Sequence, residues 1–131
     1  MPILDTDILT AILCGKKDAV EKVNELVEKS EEIATTSMNA LELLKVAAGS
    51  GGSEKKISQI NDVLKSLKIY NFDYDSAMHT AKIYAHLNNS KKAISNINAM
   101  IAGISITKNT SIITRNTKDY DSIKNLKLET W

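Results

Sequence analysis

Three carboxylic acids and one amide stand at or near strand-to-helix junctions of this chain: Asp5, Glu42, Asp119 and Asn98. In an open parallel sheet, ligands gather at the carboxyl ends of the strands. Clustered carboxylates repel one another, so folding alone gives no reason to bring them together. A hard cation such as Mg²⁺ or Mn²⁺ gives that reason, because it prefers oxygen ligands and can activate water against a phosphate. The four residues therefore predict a Mg²⁺ or Mn²⁺ site.

Each of these positions also has a purely structural interpretation. Asp5 or Asp7 can cap the helix that follows, since aspartate is a favoured N-cap residue. Glu42 lies close to a helix start, where the helix dipole stabilises a negative charge. The residues alone leave both interpretations open.

Short apolar or β-branched runs alternate with amphipathic helical patterns along the chain. The predicted strands are Ile3–Leu4, Ile33–Thr36, Lys68–Asn71, Ser111–Thr114 and an edge strand around Leu126 and Leu128. The predicted helices cover 17–29, 38–48, the run from Ile57 to Leu67, 74–87 and the run from Ile94 to Ile104. This alternation predicts an α/β fold, with a single three-layer α/β/α domain over residues 1–131 and a central, mainly parallel sheet.

The spacing within helices predicts which side chains face the core and which pair on the surface. The predicted inward positions are Val20, Val23, Leu26 and Val27, then Leu41, Leu44 and Ala48, then Ala77, Ala81 and Tyr84. The predicted ion pairs are Asp18 with Lys22 and Glu25 with Lys29. Loops are predicted at Gly49–Ser53 and Asn88–Lys92, and Asn109 is predicted to end a helix in the left-handed conformation.

Composition narrows the class of protein. The chain has 131 residues, 43% of them hydrophobic and 25% charged, which is typical of soluble globular domains. A formal net charge of +1 is too small to attract the whole protein to nucleic acid or to a membrane, although it does not exclude an RNA partner. Cys14 is the single cysteine, and the sequence shows neither a membrane-spanning run nor a signal peptide. We expect a cytoplasmic protein.

Four motifs, in order along the chain, carry a resemblance to a known family. They are Ile3–Asp7, Ser37–Glu42, Ile94–Ala102 and Thr114–Tyr120, followed by a similar ending at Leu126–Trp131. Each motif alone is weak, but their order and spacing together are specific. Over essentially its whole length, the chain resembles PIN-domain nucleases and, among them, the VapC toxins of prokaryotic toxin–antitoxin pairs.

The resemblance implies a metal-dependent endoribonuclease that cuts RNA phosphodiester bonds. It implies that Asp5 is the first acid, Glu42 the second, and Asp119 with Asn116 the fourth position. The supporting hydroxyl groups are those of Thr6, beside the first acid, and Thr114, at the end of the fourth strand. It also implies three partners: RNA, an antitoxin whose C-terminal segment lies over the acidic site, and a second copy of the chain in a homodimer.

Asn98 departs from the family pattern, which has its third acid at this position. An amide oxygen can contact a cation but carries no charge, so we expect weaker Mg²⁺ binding. The chain is then either a natural member with reduced activity or an inactivated form of a toxic enzyme. The second explanation is slightly favoured, because an isosteric Asp→Asn change preserves the fold. The sequence leaves both open.

Arg115 is the only arginine and follows the fourth strand. A guanidinium group can bind a phosphate through two hydrogen bonds, so a phosphate-positioning role is one interpretation. The other is an exposed loop residue.

Two further functions remain as alternatives. With Asn98 in place, the chain could be an inactive module that binds RNA or an antitoxin without cutting. More distantly, Asp5 and Asp7 after an apolar run resemble the first motif of haloacid-dehalogenase phosphatases, in which the first aspartate is a nucleophile. That alternative gives Glu42 no role.

Overall fold

The computed structural model describes residues 1–29, 31–49, 51–90 and 92–131, which form five strands, six α-helices and one 3₁₀ turn. The strands are β1 (Ile3–Leu4), β2 (Ala34–Thr36), β3 (Lys68–Tyr70), β4 (Ser111–Ile113) and β5 (Lys127–Glu129). The helices are α1 (Thr6–Leu13), α2 (Lys17–Glu28), α3 (Ser37–Gly49), α4 (Glu54–Lys65), α5 (Tyr74–Ser90) and α6 (Asn96–Thr107). The 3₁₀ turn spans Thr117–Asp119.

The strands form one parallel sheet in the order β3-β2-β1-β4-β5. Successive residues of a strand point to opposite faces. Leu4 and Ile113 accordingly pack with residues of α1, α2, α3 and α4 on one face. Ile112 packs with residues of α5 and α6 on the other. The prediction of a three-layer α/β/α fold with a central parallel sheet is confirmed.

The predicted inward faces of α2, α3 and α5 are wrong in part. The residues actually buried are Ala19 and Leu26 in α2, Asn39, Leu43 and Ala47 in α3, and Ser76, Thr80, Ile83 and Leu87 in α5. Val20, Val27 and Leu41, which were predicted to face inward, are exposed, as are Ala48 and Ala81. The spacing of large apolar residues does not predict the buried face of these helices, because small or polar side chains occupy part of each face.

The packing of α5 on α6 gives the physical reason for one of these errors. A Cβ atom built on Gly103 of α6 would lie 2.0 Å from Thr80 Oγ1 and 2.8 Å from the Ser76 carbonyl oxygen. The two helices therefore approach through a residue without a side chain. Thr80 is buried at that point because its hydroxyl donates to the Ser76 carbonyl at 2.7 Å.

The predicted loops differ slightly from the observed ones. Helix α5 continues to Ser90, so Asn88 does not break it, and Lys91 of that predicted loop lies outside the described residues. Of the Gly49–Ser53 stretch, Gly49 ends α3 and Ser53 caps α4, while Ser50 lies outside the described residues. Asn109 has a φ of 50°, as predicted. Among the helices that the structure describes, none is long and apolar enough to cross a membrane.

Candidate active site

Asp5 lies at the carboxyl end of β1, in the middle of the sheet. Its backbone N–H donates to the Ile113 carbonyl at 3.1 Å, which places it next to the end of β4. Its Oδ1 accepts from the backbone N–H of Thr6 at 2.9 Å, so Asp5 is also the N-cap of α1. The side chain is only 5% exposed. The capping interpretation and the site interpretation therefore apply to the same carboxylate.

Asn39 links the ends of β1 and β2, a role that the sequence analysis missed. Its Nδ2 donates to Asp5 Oδ1 at 2.9 Å and to Thr6 Oγ1 at 3.0 Å. Its Oδ1 accepts from Thr36 Oγ1 at 2.6 Å. The available sequence signal was an asparagine at the start of a predicted helix, three residues after the threonine that ends the predicted strand. In the structure, Thr36 Oγ1 accepts from the Asn39 backbone N–H at 3.1 Å.

Glu42 reaches the same region through the hydroxyl group of Thr6. Thr6 Oγ1 donates to Glu42 Oε1 at 2.7 Å. Because Asn39 also donates to Thr6 Oγ1 at 3.0 Å, that hydroxyl has its proton directed at the glutamate. Thr6 therefore orients Glu42, one helical turn after Asn39 on α3.

Tyr120 is the second residue that the sequence analysis missed. Its hydroxyl lies 3.2 Å from Asp5 Oδ2 and 3.3 Å from Asn98 Oδ1, while its ring is buried among apolar side chains. Asn98 stands in the first turn of α6, and its backbone N–H donates to the cap residue Ser95 at 3.2 Å. The phenol thus connects the first predicted acid with the position of the third.

Burial and nearby negative charge raise the pKa values of both Asp5 and Tyr120. Burial raises the pKa of Asp5, with a further contribution from the nearby Asp7 charge, and hydrogen bonds from Thr6, Thr114 and Asn39 oppose the rise. Burial also raises the pKa of Tyr120, and the negative charges of Asp5, Glu42 and Asp119 raise it further. Tyr120 therefore keeps its proton and acts as a donor.

Asp119 and Asn116 lie on the loop after β4, at the exposed side of the site. Both residues are exposed. The Asn116 backbone N–H donates to the buried Thr114 Oγ1 at 3.0 Å, and the Asp119 backbone N–H donates to the Asn116 carbonyl at 3.0 Å. The negative charge of Asp119 contributes to the raised pKa of Tyr120, but within the described residues Asp5, Glu42 and Asp119 do not form a group placed to hold a metal ion.

Arg115 lies in a rim network rather than over the acids. Its guanidinium bonds to Asp18, its Nε donates to the Trp131 carbonyl at 2.6 Å, and it stacks 3.6 Å from the centre of the Trp131 ring. The predicted Asp18–Lys22 pair is therefore wrong, because Asp18 pairs across the fold with Arg115 while Lys22 approaches Glu25 and Glu129. The predicted Glu25–Lys29 pair is present at 2.7 Å.

Asp7 forms hydrogen bonds with the first residues of the loop after β4. Its Oδ2 accepts from the Arg115 backbone N–H at 2.7 Å and from Thr114 Oγ1 at 3.3 Å. Its Oδ1 accepts from the Ile8 backbone N–H at 2.6 Å and from Trp131 Nε1 at 3.4 Å. The second aspartate of the opening motif therefore positions neighbouring backbone.

The donor set matches a hard cation in kind but is short of acids. Within the described parts of the chain, no group of three or more His, Cys, Asp or Glu side chains is placed to hold a metal ion. The oxygens linked around Asp5 are two carboxylates, those of Asp5 and Glu42, and the amide oxygen of Asn98. These are ligands of the type that Mg²⁺ prefers, with one negative charge fewer than an acid at position 98 would give.

Comparison with known proteins agrees with the fold and the resemblance. The PIN domain family model matches residues 3–126. The chain is 28% identical over 129 residues to ribonuclease VapC2 of Rickettsia felis, covering 98% of this chain and 96% of that protein. It is 22% identical to the tRNA(fMet)-specific endonuclease VapC of Salmonella typhimurium, with the same coverage. It also resembles the crystal structure of VapBC2 from Rickettsia felis bound to a promoter DNA fragment, with a TM-score of 0.91, 25% identity, and coverage of 98% of this chain and 97% of that one.

Proposed function

This chain belongs to the PIN-domain family, and we propose that it is a metal-dependent endoribonuclease acting as the toxin of a toxin–antitoxin pair. The observation that carries the proposal is the link from Asp5 through Asn39 and Thr6 to Glu42, at the carboxyl edge of the sheet. Relatives named as ribonuclease and endonuclease over nearly the full chain support it.

In this proposal Asp5, Glu42, Asn98 and Asp119 hold Mg²⁺ or Mn²⁺, which when bound supplies an activated water and stabilises charge on the phosphate. The protein's own residues orient that set. Asn39 and Thr6 fix Asp5 and Glu42 by hydrogen bonds, and all of them stand on the sheet edge or on helices packed against it. Preorganised oxygens need little rearrangement when the ion binds.

The loop after β4 supports the phosphate in this proposal. The Thr114 hydroxyl accepts from the Asn116 backbone N–H and so fixes the loop, and the exposed Asn116 side chain is the group proposed to contact the phosphate. The Thr6 hydroxyl supports the site by orienting Glu42. Asp18 and the Trp131 carbonyl take two of the five N–H donors of the Arg115 guanidinium, and its positive charge is already paired with Asp18. In this proposal Arg115 therefore binds an RNA phosphate either through its remaining donors or by exchanging Asp18 for it.

Asn98 makes weak activity the expected outcome. The site has one negative charge fewer than an acid at 98 would provide, and each carboxylate that is lost reduces attraction for a divalent ion. The absence of a three-acid group among the described residues favours a second candidate, a module that binds RNA or an antitoxin without cutting. The phosphatase alternative is not supported, since Asp7 is occupied by the backbone of Arg115 and by Trp131.

We also propose an antitoxin as the protein partner, with a homodimer as the toxin's own assembly. A cavity of about 290 Å³ opens beside Glu42, and residues of α1, α3 and α4 that are apolar except for Thr10, Lys56 and Gln59 line most of the rest of it. A largely apolar groove that reaches Glu42 suits a peptide segment that ends over the site. The likeness to the crystal structure of VapBC2 from Rickettsia felis supports the antitoxin partner.

Cleavage of single-stranded RNA in millimolar Mn²⁺ tests the enzymatic proposal. We expect slow cleavage by the parent chain, at least tenfold faster cleavage by Asn98→Asp, and none by Asp5→Ala or in EDTA. The control is Asp62→Ala, an exposed carboxylate on α4, which should leave the rate unchanged. RNA binding without cleavage by every variant, Asn98→Asp included, would establish the binding module instead.

A further inference from the structure

The hydroxyl of Tyr120 lies between two of the four side chains that the proposed function assigns to a cation, Asp5 and Asn98. It contacts Asp5 Oδ2 at 3.2 Å and Asn98 Oδ1 at 3.3 Å, and the charges of Glu42 and Asp119 also act on it. The ring is 1% exposed and packs in the core of the α5–α6 face, so the hydroxyl has one fixed location. A neutral donor therefore lies between a carboxylate oxygen and an amide oxygen that the proposed function assigns to the cation.

We propose that the Tyr120 hydroxyl competes with a divalent cation for Asp5 and Asn98, and so sets the metal affinity of the site. The inference rests on the proposed metal-dependent function and adds a residue to it. Tyr120 is a positioning residue here, since it acts through the two oxygens that it contacts.

Competition follows from the direction of the O–H dipole. A phenol has one proton, and its positive end points toward the acceptors. A cation that binds Asp5 Oδ2 is therefore repelled by the partially positive phenolic hydrogen, which contacts the same oxygen. Both contacts are longer than the usual O–H···O distance of about 2.7–2.8 Å, so a cation displaces them at modest cost. The hydroxyl thus weakens metal binding without preventing it.

Asn98 fits this arrangement better than an acid does. An amide carries both a donor and an acceptor, so it can accept from the phenol or, turned by half a rotation, donate to it. An aspartate at 98 can only accept, and it would compete with Asp5 for the single phenolic proton. Tyr120 and Asn98 together therefore stabilise Asp5 when no cation is bound. Tyr120 lowers the cation affinity relative to a phenylalanine at 120, and Asn98 lowers it relative to an aspartate at 98.

Titration calorimetry with Mn²⁺ on the whole chain tests the competition. Tyr120→Phe keeps the buried ring and removes only the hydroxyl. We expect it to bind Mn²⁺ about tenfold more tightly, the equivalent of one hydrogen bond to a charged group. In EDTA the same variant should melt below the parent, because Asp5 loses a donor.

Tyr84→Phe is the matched control. Its hydroxyl donates to Asn96 Oδ1 at 2.6 Å, so the substitution removes the same group from the same kind of partner away from Asp5. We expect unchanged Mn²⁺ affinity for this variant. An equal gain in Tyr84→Phe and Tyr120→Phe would overturn the proposal.

Asn98→Asp, alone and combined with Tyr120→Phe, separates this inference from the proposed function. We expect Asn98→Asp to bind Mn²⁺ more tightly and the double variant most tightly of all. If Asn98→Asp binds Mn²⁺ and Tyr120→Phe leaves affinity equal or weaker, the competition is wrong while the metal-dependent function stands. If no variant binds Mn²⁺, both are wrong.

Discussion

The acidic site has a buried half, formed by Asp5, Thr36 and Asn39, and an exposed rim, formed by Arg115 and Asp18. The two parts differ in how far water can replace a lost partner. In the buried half, Asp5, Thr36 and Asn39 are 5%, 0% and 0% exposed, and among the described residues no buried side-chain nitrogen or oxygen lacks a hydrogen-bond partner. In the rim, the Arg115 and Asp18 side chains are 45% and 52% exposed. A group that loses its partner can turn to water in the rim but not in the buried half. The same kind of contact should therefore matter far more in the buried half.

Asn39→Ala should give the largest effect. The substitution removes both hydrogen bonds that Asn39 Nδ2 donates, to Asp5 and to Thr6, and leaves the Thr36 hydroxyl without its acceptor. We expect the free energy of unfolding to fall by roughly 3 kcal/mol, from buried groups left unsatisfied. Urea denaturation measures this. The control is Asn24→Ala on the exposed side of α2, expected to lie within about 0.5 kcal/mol of the parent.

Asp5→Asn should act in the opposite direction, by a smaller amount. Burial raises the pKa of Asp5, so its contribution to stability is greatest below the ordinary value of 3.8 and is lost as pH rises through the raised native value. An asparagine carries no charge at any pH. We expect the variant to melt above the parent at neutral pH in EDTA, with the gain shrinking as pH falls toward 3.8.

The same substitution at the exposed Asp62 serves as the control and should leave the melting temperature at neutral pH close to that of the parent. A large loss of stability in Asp5→Asn at neutral pH would mean that the charge of the carboxylate stabilises the fold, and it would contradict the prediction from burial, since asparagine caps a helix about as well as aspartate does.

Arg115→Ala should cost about 1 kcal/mol, mainly through the lost stacking on Trp131 at 3.6 Å. Lys118→Ala, which removes an exposed cation three residues along the same loop, should cost less. Thermal or urea melts of the two variants compare them. A loss as large as that of Asn39→Ala would show that the rim is as integral to the fold as the buried half.

The difference between the two regions also explains what the sequence could predict. The order of strands and helices predicts that Asp5 and Thr114 share an edge, because parallel strands end on the same side. The roles of Asn39 and Tyr120 depend on which side chain lies opposite Asp5, across separations of 34 and 115 residues. Spacing rules within one helix do not contain that information.

The Asp18 error has the same cause. The one-turn rule pairs Asp18 with Lys22, but Arg115, 97 residues away, forms the contact. The one-turn rule does hold for Glu25 and Lys29, whose charged atoms lie 2.7 Å apart. The polar buried face of α5 was missed for a related reason: only the position of Gly103 on α6 makes Ser76 and Thr80 suitable there.

Asp18→Asn should give the smallest effect, and one of opposite sign to Asp5→Asn. The hydrogen bond from Arg115 lowers the pKa of Asp18, so any stability that its charge adds is present above the ordinary value of 3.8 and is lost as pH falls through the lowered native value. Asp18 is exposed, and exposed ion pairs contribute little. We expect a slight fall in melting temperature at neutral pH and about 0.01 M salt, vanishing at about 1 M salt, where the Debye length shrinks from roughly 30 Å to 3 Å. The two aspartate variants thus differ in sign at neutral pH, and both differences shrink in acid. If Asp5→Asn also lost stability and that loss were abolished by salt, Asp5 would behave as an exposed ion-pair partner, and the contrast between the buried half and the rim would be wrong.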